Sequence, residues 1–124
     1  MMNELTCIQC PNGCTLRLRL SERGELLRVT GNRCKRGAEY AAQELRDPRR
    51  TIATSVLVLD GAAPLCSVRI TAPIPRARIQ DAVAAIHALR VPAPVAIGDV
   101  LAHDLLGLGC DVIATKNIAK APAP

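Results

Sequence analysis

Cys7-Ile8-Gln9-Cys10-Pro11-Asn12-Gly13-Cys14, answered by Gly31-Asn32-Arg33-Cys34-Lys35-Arg36-Gly37, is the stretch that decides how this chain is read. Its spacing is C-x2-C-x3-C, then nineteen residues, then a fourth cysteine. Three thiols from one tight tract and a fourth from a return point can converge on one metal centre. Soft sulfur ligands select zinc or an iron–sulfur cluster. Structural zinc sites usually pair two C-x2-C or H-x3-H knuckles, whereas three cysteines within eight residues plus a distant one suit a cuboidal [4Fe-4S] cluster better. Cys7, Cys10, Cys14 and Cys34 are therefore the candidate ligands, with one zinc ion as the alternative occupant.

Working outward, Thr15 to Leu20 alternates, with Leu16, Leu18 and Leu20 on one face and Arg17 and Arg19 on the other. That is the pattern of a half-buried strand. Ser21 to Glu25 is a turn, and Leu26 to Thr30 reads as the returning strand. The hairpin carries the chain out and back, so that Cys34 arrives beside the first three cysteines. Gly37 to Arg46 reads as a short helix ended by Asp47-Pro48. Thr51 to Leu59 and Leu65 to Thr71 read as a second hairpin around Asp60-Gly61. The main helix is expected over about 76–90, where Ile79, Val83, Ile86 and Arg90 recur at helical spacing. Short strands are expected at Val95–Ile97, Val100–Leu101 and Val112–Thr115. The fold class is therefore α+β. A four-cysteine metal module occupies residues 1–48, a small α+β module residues 49–118, and a flexible Ala/Pro tail residues 119–124.

Composition narrows the function. The 124 residues are 49% hydrophobic but only 1% aromatic, with Tyr40 and no Trp or Phe, so the core is built from Leu, Val, Ile and Ala. A core without large rings buries less area per residue, and a metal staple would stabilise the N-terminal part. The net charge is +5. Its excess lies in residues 1–50, which carry ten Lys or Arg against six Asp or Glu. A four-thiolate centre is negative and gives Arg33, Lys35 and Arg36 a role in tuning it or in docking a partner. Nucleic acid is the competing explanation of the charge, and the near absence of stacking aromatics argues against it. No apolar run approaches the roughly 18 residues of a membrane span. The N-terminus lacks the basic-then-apolar form of a signal peptide, so the expected compartment is the cytoplasm, where clustered cysteines are metal ligands rather than disulfides.

Residues 51–124 hold no constellation that reads as catalytic. His87 and His103 are lone histidines, Asp99 and Asp104 read as turn residues, and Cys66 and Cys110 read as buried thiols. Gly107-x-Gly109 falls short of a dinucleotide fingerprint.

Two resemblances add to this reading. Over about residues 5–40, C-x2-C-x3-C, a hairpin and Cys34-Lys35-Arg36-Gly37 resemble the N-terminal iron–sulfur domain of molybdopterin oxidoreductases. There, four cysteines bind a [4Fe-4S] cluster and a Lys lies on the electron path. Arg36 takes that Lys position here, keeping the charge but not the shape. The chain is also similar over its length to a small uncharacterised bacterial family of stand-alone four-cysteine proteins. The match is carried by Leu5-Thr6-Cys7-Ile8-x-Cys10-Pro11-x-Gly13-Cys14, Gly31-Asn32-x-Cys34-x-Arg36-Gly37 and Ala93-Pro94-Val95-x-Ile97-Gly98-Asp99-Val100. That family is linked to FAD-dependent oxidoreductases of the glycerol-3-phosphate dehydrogenase type. The resemblance implies an electron-transfer subunit or partner of a flavoenzyme, itself non-catalytic.

Overall fold

A computed structural model describes residues 2–123 and shows an α+β chain divided into two compact units, Met1–Pro48 and Arg49–Pro124. The first unit runs β1 (Met2–Thr6), β2 (Thr15–Leu20), β3 (Leu26–Thr30) and α1 (Lys35–Arg46). The expected hairpin is present as β2 and β3, paired antiparallel from Arg17↔Thr30 to Leu20↔Leu26 with one irregularity after Arg19. Strand β1 is additional to the expected elements. It pairs antiparallel with β2 from Met2↔Arg19 to Thr6↔Thr15, so the cysteine tract is the loop between two paired strands.

Leu16, Leu18 and Leu20 fill the buried face of β2 while Thr15, Arg17 and Arg19 stand exposed, as alternation dictates. The leucines pack with Cys7 and with Ala41 of α1, and Leu5, Cys14, Leu26, Val29 and Tyr40 cover that cluster from its edges. The cysteine loop thus contributes to this small core itself, with Cys7 among its buried members and Cys14 at its edge. Helix α1 starts at Lys35, two residues before its expected start, which makes Cys34 its N-cap residue.

The second unit runs β4 (Arg49–Arg50), β5 (Ala53–Leu59), β6 (Leu65–Ile70), β7 (Ile74–Pro75), a 3-10 turn at Arg76–Arg78, α2 (Ile79–His87), β8 (Arg90–Pro92), β9 (Val100–Ala102) and β10 (Val112–Ala114). Five strands form one sheet in the order β8-β5-β6-β10-β9, and β4 pairs with β7 in a separate ribbon. Strands β5 and β6 are the expected second hairpin. The helix expected over 76–90 is shorter. A 3-10 turn precedes it, and Arg90, read as part of its apolar spacing, instead opens β8, which lies parallel to β5 with Leu57↔Arg90 to Leu59↔Pro92. Pro92 lacks an N–H and is accommodated because β8 is an edge strand.

Ala82 and Ile86 of α2 are buried with Val56, Val58, Cys66, Val68, Ile70, Ile74, Val112 and Ala114 in one aliphatic core. Of the expected Val95–Ile97 strand only Val95 pairs, bridging Ile118 through two backbone bonds of 2.9 and 2.8 Å. The first residues of the Ala/Pro segment are also held: the Ala62 N–H donates to Ala119 O at 2.8 Å and the Ala121 N–H to Asp60 O at 2.7 Å. Among the described residues no helix is long and apolar enough to cross a membrane.

Candidate metal centre

The geometry of the cysteine loop starts in the backbone. The Cys7 N–H donates to Cys14 O at 2.8 Å, closing the loop directly above the β1–β2 pairing. The β3 chain then turns back at Gly31, with φ +87°, a conformation that costs a residue with a side chain free energy. A Cβ there would meet Thr15 O at 2.3 Å, so glycine permits both the turn and the close approach of the returning chain to β2. Gly37 has a packing reason instead: a Cβ would lie 2.8 Å from Asn32 Cβ and 3.2 Å from Leu16 Cδ2. These two glycines seat the first turn of α1 against the strand that carries the loop.

The outcome is a cleft of about 120 Å³ walled by Cys7, Cys10, Cys14 and Cys34 together with Gln9, Asn12, Asn32, Arg33, Arg36 and Gly37. All four expected thiols therefore line one cavity, although nineteen residues separate the third from the fourth. Cys7 is buried, Cys10 and Cys14 are half-buried and Cys34 is exposed, and all are free thiols. Among the described residues no three Cys, His, Asp or Glu side chains stand together as a ready-made chelate. The thiols share a cleft rather than a fixed coordination geometry, and a metal would have to draw them inward. The donor set itself, four soft sulfurs with no carboxylate or imidazole among them, fits iron–sulfur or zinc and not a hard cation.

Electrostatics single out Arg36. Its side-chain interaction with Cys34, joined by the backbone N–H groups of Arg36 and Gly37 and by the guanidinium's charge, holds the Cys34 thiol below its ordinary value. Reciprocally, Cys34 by hydrogen bonding and charge, then Cys10 and Cys7 by charge, raise the Arg36 guanidinium. One cation thus lines the same cleft as the four thiols and interacts directly with Cys34. Cys34 also sits where the positive end of a helix favours a thiolate. Arg33 shares the cleft wall, whereas Lys35 is exposed and is not among the lining residues.

Asn32 was not singled out by sequence reasoning. Its side-chain amide donates to Cys34 O at 3.0 Å and braces the turn that presents the fourth thiol. An Asn following a turn glycine and two residues before a cysteine was the available signal.

The remaining single residues have structural partners. Cys66 is fully buried, with Sγ 3.4 Å from Lys116 O. Cys110 is buried, and burial, then Asp111 and Asp104, push its thiol up. Asp99 Oδ2 accepts from the Ala96 N–H at 2.8 Å and Asp104 Oδ1 from the Gly109 N–H at 2.8 Å, both inside turns. His87 Nε2 lies 2.9 Å from Thr54 Oγ1, and His103 is exposed near Asp111 at 4.0 Å.

Comparisons with known proteins bear on the fold and the family. The NMR structure of Clostridium perfringens protein CPE0013 is similar in fold at 22% identity and a TM-score of 0.54, covering 61% of this chain and 91% of that one. No curated protein matches the chain. A family model described as "Protein of unknown function (DUF1667)" matches residues 35–116, which takes in α1 and most of the second unit; Cys34 lies just before the match and Cys7, Cys10 and Cys14 well before it. The chain belongs to the DUF1667 family.

Proposed function

We propose that this chain is an iron–sulfur electron-transfer subunit or partner of an FAD-dependent oxidoreductase, with Cys7, Cys10, Cys14 and Cys34 as ligands of one [4Fe-4S] cluster. The observation that carries the reading is the convergence of these four thiols on one cleft with Arg36 among them. The cluster, when bound, supplies one-electron chemistry. The residues of this chain do the rest. The β1–β2 loop presents three sulfurs, and Gly31, Asn32 and the start of α1 present the fourth. Arg36 and Arg33 place positive charge beside the thiolates, which favours the more negative reduced state and raises the potential. Lys35, exposed on the first turn of α1, is available to a partner rather than to the cleft.

A flavoprotein partner rests on the family resemblance of the cysteine and glycine motifs, and on a division of labour. In this reading the bond-making chemistry belongs to the partner chain. The reading places the pair in the cytoplasm, where thiols stay reduced and available to metal. The test is an absorbance and electron paramagnetic resonance spectrum of anaerobically purified protein before and after dithionite. A broad band near roughly 400 nm that bleaches, with a signal in the reduced state, supports the proposal. A featureless visible spectrum with zinc in the protein would assign the same thiols to a structural zinc site and end the redox reading.

A further inference from the structure

The exposed face of the first sheet carries a feature that the thiol cleft does not use. Arg17 and Arg19 alternate outward along β2, and the pairing sets Arg28 of β3 directly opposite Arg19 and Thr30 directly opposite Arg17. These four residues line an open cleft of about 540 Å³. Among the described residues one ion pair lies on this face, Arg17 Nε to Glu4 Oε1 at 3.7 Å, with both side chains about two-thirds exposed. Arg19 and Arg28 are like charges directly opposed across two strands, an arrangement that destabilises a sheet. Three guanidinium forks therefore stand together with one carboxylate beside them.

We infer that this arginine face is a docking surface for an acidic protein segment. The spacing fits such a partner. Residues two apart on a strand repeat at roughly 6.7 Å and directly opposed pairs at roughly 5 Å. Carboxylates two apart on a strand or four apart on a helix repeat at about 6–7 Å, and guanidinium forks take carboxylates two oxygens at a time. Each carboxylate that docks also relieves the Arg19–Arg28 repulsion, so association gains from a cost already present in the free sheet. A nucleic-acid strand is the poorer match because bases need an aromatic platform. Tyr40, the one aromatic residue, packs half-buried against the core on the other side of β2. A small anion is also a poorer match, since every wall of the cleft comes from one sheet face. The inference is independent of which metal the thiols hold.

The probe is a labelled oligo-glutamate peptide, titrated into the metal-loaded full chain at low ionic strength. Saturable binding that weakens with salt is expected. The combined Arg17→Gln, Arg19→Gln, Arg28→Gln variant should weaken it about tenfold or more, with metal content unchanged. A control that removes the same charge elsewhere, Arg23→Gln, Lys116→Gln, Lys120→Gln, should stay within about twofold. Equal weakening by the two variants would mean attraction to net charge alone and would overturn the proposal. So would tighter binding of an oligothymidylate through the same arginines. In case the triple variant folds poorly, amide shifts of the unmodified protein on peptide addition give a second reading. Shifts at β2 and β3 support the face, and shifts confined to other segments refute it.

Discussion

The two units stabilise themselves in different ways. The second buries fourteen residues in one aliphatic cluster drawn from both sides of the chain, including α2, the five-stranded sheet and the Ile118 segment. Among the described residues the first has five in its core cluster, and one of these is Cys7. A unit of 48 residues with so few buried side chains falls in the size range where folded domains usually lean on a metal, a disulfide or a partner. All six cysteines are free, so no disulfide does this work. The contrast teaches that the cysteine loop has a structural task, whatever chemistry its thiols carry: Cys7 is buried in the small core and Cys14 packs against it. It closes a core that the leucines of β2 cannot close alone.

The metal proposed above offers the sharpest way to break that comparison. Chelation or acid release under reducing conditions should cost the first unit most of its amide protection from hydrogen exchange, while β5, β6 and α2 keep theirs. Equal loss in both units would show that the metal holds the whole chain. Next in size, Ile86→Ala in the second unit should destabilise it by about 2–5 kcal/mol, because Ile86 is 1% exposed at the centre of its core. Denaturant unfolding followed at second-unit amides measures this, and metal content should not change.

In the first unit, Gly31→Ala should cost roughly 1–3 kcal/mol through the positive φ alone, with the approach to Thr15 O adding to it. Metal affinity should fall with stability here, unlike in Ile86→Ala. The smallest effect concerns pH. Arg36, with the N-terminus of α1, holds the Cys34 thiol low, so the thiolate persists to lower pH and metal competes with protons earlier. Arg36→Gln lets that thiol rise again, so the midpoint of metal loading should move to higher pH. An unmoved midpoint would show that Arg36 does not act on Cys34.

Much of the fold was legible because local pattern and tertiary role agree. The Leu/Arg alternation of Thr15 to Leu20 and the β-branched run of Thr51 to Leu59 announce their strands directly, the second forming from Ala53. What stayed hidden depends on partners distant in sequence. Strand β1 shows no apolar alternation in Asn3-Glu4-Leu5-Thr6 and exists because the loop after it returns onto β2. Strand β8 is three residues long and includes a proline, so only its parallel alignment with β5 defines it. Arg90 continued a helical spacing by coincidence. For the candidate site, the spacing of the cysteines named the thiols, and the basic Arg33-Cys34-Lys35-Arg36 run named the cations. The residue pattern alone could not separate Arg36, which lines the cleft, from Lys35, which does not, because that choice depends on where α1 begins; only the resemblance pointed to Arg36. Nor could it show Arg19 and Arg28 opposed, since that depends on strand register.

The most direct test of the central claim is iron, sulfide and zinc analysis of anaerobically purified protein, made on the unmodified chain beside Cys34→Ser and Cys66→Ser. The account predicts about four irons and four sulfides per chain in the unmodified protein. Cys66→Ser should retain them and Cys34→Ser should lose them. About one zinc per chain without sulfide, or a cluster that survives Cys34→Ser and fails in Cys66→Ser, would contradict it.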